Sequence, residues 1–282
     1  MEFQENPENP LVHIISSSTE AEEEQEEEYG MTDAEREEIE ELIGYKFNDP
    51  GLLQTAFTDS SYKKEGFETE SFERLEYIGD SVLNLLIARE HYVANPEFLP
   101  GKLTLLRAAN VGTEKLARAA MKWNLHKFLR HRKPLLNDQI GEFSKAIEEY
   151  PLHSAGLVDS PKVLADIVES LIGAIFLDCN SSLETTWQVV KKLLEPMVDN
   201  TTLRPHPKTQ LNEYCQKNNL QLEYENLWEK TGEVKVYVNN KYVGTGAYRS
   251  KRTTALNRAA YKACTQIFND FTSPNPTPPV LD

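Results

Sequence analysis

Glu73-Arg74-Leu75-Glu76-Tyr77-Ile78-Gly79-Asp80-Ser81-Val82-Leu83 is the segment from which the rest of the chain becomes readable. On a helix turning about 100° per residue, Glu73, Glu76 and Asp80 fall within roughly 60° of one another. Leu75, Ile78, Val82, Leu85 and Leu86 take the opposite side and are expected to be buried. Three carboxylates in one stripe repel each other, and a helix with a purely structural role has no reason to bear that cost. A divalent cation removes it.

About ninety residues later a second acidic helix follows, Leu164-Ala165-Asp166-Ile167-Val168-Glu169-Ser170-Leu171-Ile172-Gly173-Ala174-Ile175-Phe176-Leu177-Asp178. Asp166 and Glu169 are spaced i,i+3 and share a face, and Gly173 lies on the same stripe, where the missing side chain lets another helix or a substrate come close. Taken alone, an acidic pair of this kind is usually a solvated helix face. Two such groups on helices with apolar opposite faces call for partners, because charged residues are rarely buried without one. The simplest arrangement sets the two helices against each other with shared metal. Carboxylate oxygens are hard ligands suited to Mg²⁺ or Mn²⁺ rather than zinc.

The segment 73–83 resembles the signature of the ribonuclease III family, and 164–178 resembles its second catalytic motif. Between them, Leu103-Thr104-Leu105-Leu106-Arg107-Ala108 resembles a further family element. The wording Pro161-Lys162-Val163-Leu164-Ala165-Asp166-Ile167-Val168-Glu169-Ser170, with a long insertion before it, is most similar to plant Dicer-like proteins and their short ribonuclease III-like relatives. Neither a helicase signature nor a second nuclease domain is present in the chain, so the short relatives fit better. The resemblance implies Glu76, Asp80, Asp166 and Glu169 as catalytic metal ligands, with Glu73 acting from an outer position. It implies Mg²⁺ as cofactor, with Mn²⁺ as a substitute, and no small-molecule cofactor. It also implies a homodimer in which Tyr77 packs into the partner; the competing reading of Tyr77 is a core aromatic.

At 282 residues the chain has room for two domains without disulfides. Cys179, Cys215 and Cys264 form no CxxC pair, which disfavours zinc and fits reduced thiols in the nucleus or cytoplasm rather than a secreted protein. No apolar run is long enough to span a membrane, and the N-terminus lacks a signal-peptide core. The net charge of −15 is unevenly spread. Residues 1–32 hold ten Glu and no Lys or Arg, whereas residues 204–272 hold eleven Lys or Arg against six acids. An acidic, metal-holding module joined to a basic one that finds a polyanion accounts for both facts.

Residues 1–32 read as an acidic disordered tail. A Thr32–Glu35 capping pattern opens a helical domain over 33–198, with 135–161 forming either a hairpin of helices or a mobile loop. A polar, twice proline-broken linker covers 199–206. From 207 to 272 the period changes. A helix over 208–217, strands over 222–228, 234–238 and 242–248, and a helix over 252–268 are expected, in α-β-β-β-α order. A proline-rich tail follows from 273.

The wording Pro207-Lys208-Thr209-Gln210-Leu211-Asn212-Glu213-Tyr214-Cys215-Gln216, then Gly244-Thr245-Gly246, Ser250-Lys251-Arg252 and Ala259-Ala260-Tyr261-Lys262-Ala263, resembles a double-stranded RNA-binding domain. That resemblance implies Thr209, Gln210 and Glu213 meeting 2′-hydroxyls in a minor groove, and Lys251 and Arg252, with Arg249 and Arg258, meeting phosphates. Two departures point to weaker intrinsic affinity. The loop at 229–233 is short and lacks Pro and His, and the third basic position of the last helix falls at Ala255 or Leu256. The fold class expected is therefore mostly α: an all-helical ribonuclease III domain followed by a small α+β double-stranded RNA-binding domain. The function implied is a metal-dependent endonuclease cutting double-stranded RNA to 5′-phosphate and 3′-hydroxyl ends. The alternative is a catalytically silent double-stranded RNA-binding protein that retains the fold.

Overall fold

The computed structural model describes residues 30–62, 70–151 and 153–268. The tails expected over 1–32 and from 273 lie almost wholly outside these residues. Among the described residues, eight α-helices form the first domain: α1 (Asp33–Ile43), α2 (Pro50–Ala56), α3 (Glu73–Ala94), α4 (Pro100–Val111), α5 (Thr113–Lys122), α6 (Leu136–Glu148), α7 (Lys162–Asp178) and α8 (Leu183–Leu194). The chain ends α1 as its residues dictate. Thr32 and Glu35 make both bonds of a capping box, and Gly44 closes the helix in the left-handed region at φ 74°.

Helix α7 is apolar around almost its whole circumference, so it belongs in the interior rather than on a surface. Its most extensive partner is α3, and α5, α2 and α8 pack around the rest. Its C-terminal residue Asp178 holds the N-terminal segment in place, accepting bonds from Tyr45 Oη (2.6 Å), the backbone N–H of Asn48 and Asp49, and Asn48 Nδ2. The insertion at 135–161 forms one helix, α6, followed by turns, and not a helical hairpin. The expectation of helices without strands holds over the described residues of this domain except for an isolated parallel bridge between Thr58 and Arg130. One expected core residue is misplaced: Leu85 is 53 % exposed. Leu75, Val82 and Leu86 are buried as expected.

The second domain carries α9 (Pro207–Lys217), β1 (Leu222–Asn226), a single helical turn α10 (Trp228–Thr231), β2 (Glu233–Val238), β3 (Lys241–Ala247) and α11 (Arg252–Phe268). The three strands form an antiparallel sheet in the order β1-β2-β3, with Leu222 opposite Val238 and Glu233 opposite Ala247. Leu211, Val234, Val236, Val243, Ala255, Ala259, Ala260 and Ala263 make its core, separate from that of the helical domain. The expected first strand is shorter than read. The Trp228 indole donates to the Tyr248 carbonyl at 2.8 Å, pinning this aromatic into a helical turn that Gly232 ends at φ 79°. Among the described residues, no helix is long and apolar enough to cross a membrane.

Candidate active site

The close approach of α3 and α7 is written in two glycines. A Cβ on Gly79 meets the Glu169 carbonyl oxygen at 1.8 Å, and one on Gly173 meets the Leu75 carbonyl oxygen at 2.2 Å. Neither position tolerates any side chain, so the helix backbones touch. That contact sets Glu76 of α3 beside Asp166 and Glu169 of α7, with one carboxylate oxygen from each lying within 4.8 Å of the others. Asp166 is buried, and Glu76 and Glu169 are half-buried.

The cost of gathering these charges appears in their titration. Burial, and then the charges of Asp80, Asp166 and Glu76, push the Glu169 carboxyl up to about 7. Burial also raises Asp166, and Glu76 adds to the effect. Lys162 partly compensates: its Nζ donates to Glu76 Oε1 at 2.8 Å and to Asp166 Oδ1 at 2.5 Å. Partial burial works against the Lys162 charge, but the two carboxylates outweigh it and hold the ammonium above its usual range. The position between Glu76 and Asp166 thus already favours a cation, and the donor set is all carboxylate. These residues fit a hard divalent ion.

The remaining expected acids are placed differently. Asp80 is exposed and lies outside the three-residue cluster, its Oδ1 accepting from Asn84 Nδ2 at 2.9 Å, although its charge reaches Glu169. Glu73 is also outside. Burial works against its charge, yet bonds with Ser71 and Ser60 outweigh that and lower its carboxyl. Tyr77 is 80 % exposed and therefore no core aromatic. Lys162 escaped the sequence reading. Its signal was a cation in the first turn of a helix, the end at which the macrodipole disfavours positive charge, four residues before Asp166.

On the second domain, Thr209 and Glu213 face solvent on α9, and Gln210 is half-buried. Arg249, Lys251 and Arg252 are exposed around the start of α11. Arg258 is committed elsewhere: Nε donates to the Leu157 carbonyl (2.9 Å), Nη1 to the Ala247 carbonyl (3.2 Å), and the guanidinium stacks on the Tyr248 ring. Ala255 is fully buried, so it offers nothing to a phosphate. A cavity of about 640 Å³ between α5, α6 and α8 is lined by none of Glu76, Asp80, Asp166 and Glu169. Its lysines Lys115 and Lys122 already donate to the carbonyls of Pro196 and Glu195.

The family model for the Ribonuclease III domain matches residues 73–180, and that for the Double-stranded RNA binding motif matches residues 207–267. Ribonuclease 3-like protein 3 of Oryza sativa subsp. japonica is 44 % identical over 81 % of this chain and 77 % of its own length. Ribonuclease 3-like protein 2 of the same organism is 37 % identical over 78 % of this chain and 71 % of its own length. Endoribonuclease Dicer homolog 1 of Arabidopsis thaliana is 40 % identical over 76 % of this chain but only 12 % of that protein.

Proposed function

This chain belongs to the ribonuclease III family and is an endonuclease of that type, and from that premise we propose that it hydrolyses double-stranded RNA at the cluster formed by Glu76, Asp166 and Glu169. The observation that carries the reading is the convergence of three carboxylates from two helices, two of them bonded to one ammonium, at a spacing suited to a small divalent ion. Glu76, Asp166 and Glu169 would hold the cation, with Asp80 at the rim as a fourth ligand. Bound there, Mg²⁺ or Mn²⁺ supplies a lowered water pKa and neutralises charge on the scissile phosphate. The protein's own part is to fix the ligands, which the glycine-mediated contact does, and to offset their repulsion, which Lys162 does. Glu73, held ionised by Ser71 and Ser60, orients water or the substrate backbone from outside.

In this reading 33–198 is the nuclease unit, 199–206 a linker and 207–272 the unit that reads the shape of the duplex. Thr209, Gln210 and Glu213 meet one groove, and Arg249, Lys251 and Arg252 meet phosphates. One nuclease domain provides one site, whereas a duplex has two strands, so two copies act together, each cutting one strand to leave 5′-phosphate and 3′-hydroxyl ends. The exposed Tyr77 beside the acidic stripe supports a partner contact.

The test is incubation of the purified protein with a long RNA duplex, in Mg²⁺ or in chelator, beside Asp80→Ala and Glu169→Ala. Discrete shortening that needs the metal and is lost in both variants is expected. Duplex binding without cutting, under conditions where a control enzyme cuts, would instead establish a silent binding protein.

A further inference from the structure

The basic end of the second domain is not free. The turns that follow α6 meet it through directional bonds: the Asp159 carboxylate accepts from Lys251 Nζ at 2.9 Å, the Leu157 carbonyl accepts from Arg258 Nε, and the Gly156 carbonyl accepts from Asn257 Nδ2 at 3.0 Å. Leu157 is 5 % exposed yet belongs to the core of neither domain. Gly156 stands at φ 87°, a conformation that side chains resist, and a Cβ there meets Asn257 Nδ2 at 2.5 Å and His206 Nε2 at 2.6 Å. Backbone, apolar side chain and ion pair all serve one contact.

Chemically, the Asp159 carboxylate gives Lys251 what a phosphate oxygen would give it, and the two cannot be held by the same ammonium at once. The carbonyls of Leu157 and Ala247 likewise occupy the Arg258 fork. We propose that the segment 154–159 of the nuclease domain is an internal competitor for duplex RNA. It docks on the basic end of the RNA-binding domain and must release it before Lys251 reaches a phosphate. The inference rests on the duplex-binding reading above. It explains how a chain with exposed cations and a large acidic excess restrains contact with stray polyanions, since only a duplex long enough to engage α9 as well offsets the docking contacts. Double-stranded RNA-binding domains span about 16 base pairs.

The experiment measures binding of the full chain to a labelled duplex longer than about 16 base pairs, by anisotropy in chelator so that nothing is cut. The variants are Asp159→Asn, which keeps the shape and removes the charge, Gly156→Ala, which obstructs docking, Lys251→Ala, and the Asp159→Asn/Lys251→Ala double variant. Because a partly exposed ion pair contributes modestly, Asp159→Asn is expected to tighten binding roughly two- to five-fold, and Gly156→Ala to do the same. Lys251→Ala should weaken binding, and in its presence the gain from Asp159→Asn should vanish. Small-angle scattering of Asp159→Asn and Gly156→Ala should show a larger radius of gyration. Unchanged or weaker binding by Asp159→Asn overturns the inference while leaving the RNA-binding reading intact. Absence of duplex binding in wild type and every variant removes both.

Discussion

Lys162 stands at the N-terminal end of α7, where a helix disfavours positive charge, and its two carboxylate partners are what keep it there. It is a positioning residue: it acts by holding Glu76 and Asp166 in one geometry and by relieving their repulsion. Partners that orient metal-binding groups are typically worth 10- to 100-fold in affinity or activity. Lys162→Gln should therefore cut duplex cleavage by about that factor and alter the Mg²⁺ concentration needed for half-maximal rate, with Lys162→Arg recovering much of the loss. A Gln variant with an unchanged metal profile would show that the lysine is a bystander. Asp178 poses the opposite problem, a buried carboxylate with no cationic partner among the described residues. Burial works against its charge, but donors from Asn48, Tyr45 and Asp49 prevail and lower its pKa. The folded value lies below the unfolded one, so the stability this group contributes is complete above the ordinary value of 3.8 and is lost as pH falls through the folded value. Asp178→Asn sets an amide N–H toward backbone donors and should cost about 2–3 kcal/mol at neutral pH. Denaturant midpoints should show that gap narrowing as pH is taken from neutral to below the ordinary value of 3.8, because the wild type progressively loses its advantage while the variant has none to lose. An equal gap at both pH values would assign the effect to packing alone.

At the scale of the element, the site is a consequence of how closely α3 and α7 approach. Gly79→Ala places a methyl 1.8 Å from the Glu169 carbonyl oxygen, a backbone atom that cannot step aside without moving α7. Overpacking of a well-filled interface costs about 1–3 kcal/mol and sometimes more. Thermal denaturation should place Gly79→Ala at or beyond the upper end of that range, and any folded fraction should bind Mg²⁺ poorly because Glu76 and Glu169 are pushed apart. Native-like stability and metal affinity would mean the helices sit farther apart than described. Much of this was legible in the residues. Helical period alone placed Glu76 on one stripe and Asp166 with Glu169 on another, and Gly173 was readable as a point of close approach. The convergence followed only from the need of both acidic groups for a partner, because period fixes which side a residue occupies and says nothing of which helix lies there. Leu85 failed for the same reason: it falls on the apolar side of α3 by rotation, yet no element among the described residues covers it. Trp228 was assigned to a strand because an aromatic after alternating residues continues the pattern, but its indole bond to Tyr248 belongs to tertiary structure. Lys162 was unreadable while the acid across the groove was unknown, since a lone terminal lysine is ordinarily a solvated charge.

For the whole molecule, the uncovered side of α3 is the feature with the largest consequence. Tyr77, Leu85 and Tyr92 are 80 %, 53 % and 73 % exposed and lie within about 80° of one another on the helix, while Leu99 and Leu105 of the α4 region are also exposed. Isolated exposed apolar residues are normal on any protein. A row of them along the helix that also carries the acidic stripe is a different matter, and such patches mark interaction surfaces. On the pairing proposed above, the occupant is a second copy of the chain, since a symmetric pair would set two carboxylate clusters against the two strands of one duplex. Sedimentation equilibrium should then return about twice the chain mass of 32.2 kDa. Leu85→Asp buries an unpaired carboxylate in that contact, which costs at least about 2 kcal/mol and shifts the protein toward monomer. Its own metal cluster is untouched, since Leu85 faces away from Glu76, so the variant should still bind Mg²⁺ and duplex while its double-strand breaks decline and single-strand nicks take their place. A wild-type monomer that cuts both strands at the same concentrations would remove the need for a partner and leave the exposed row of α3 without a function.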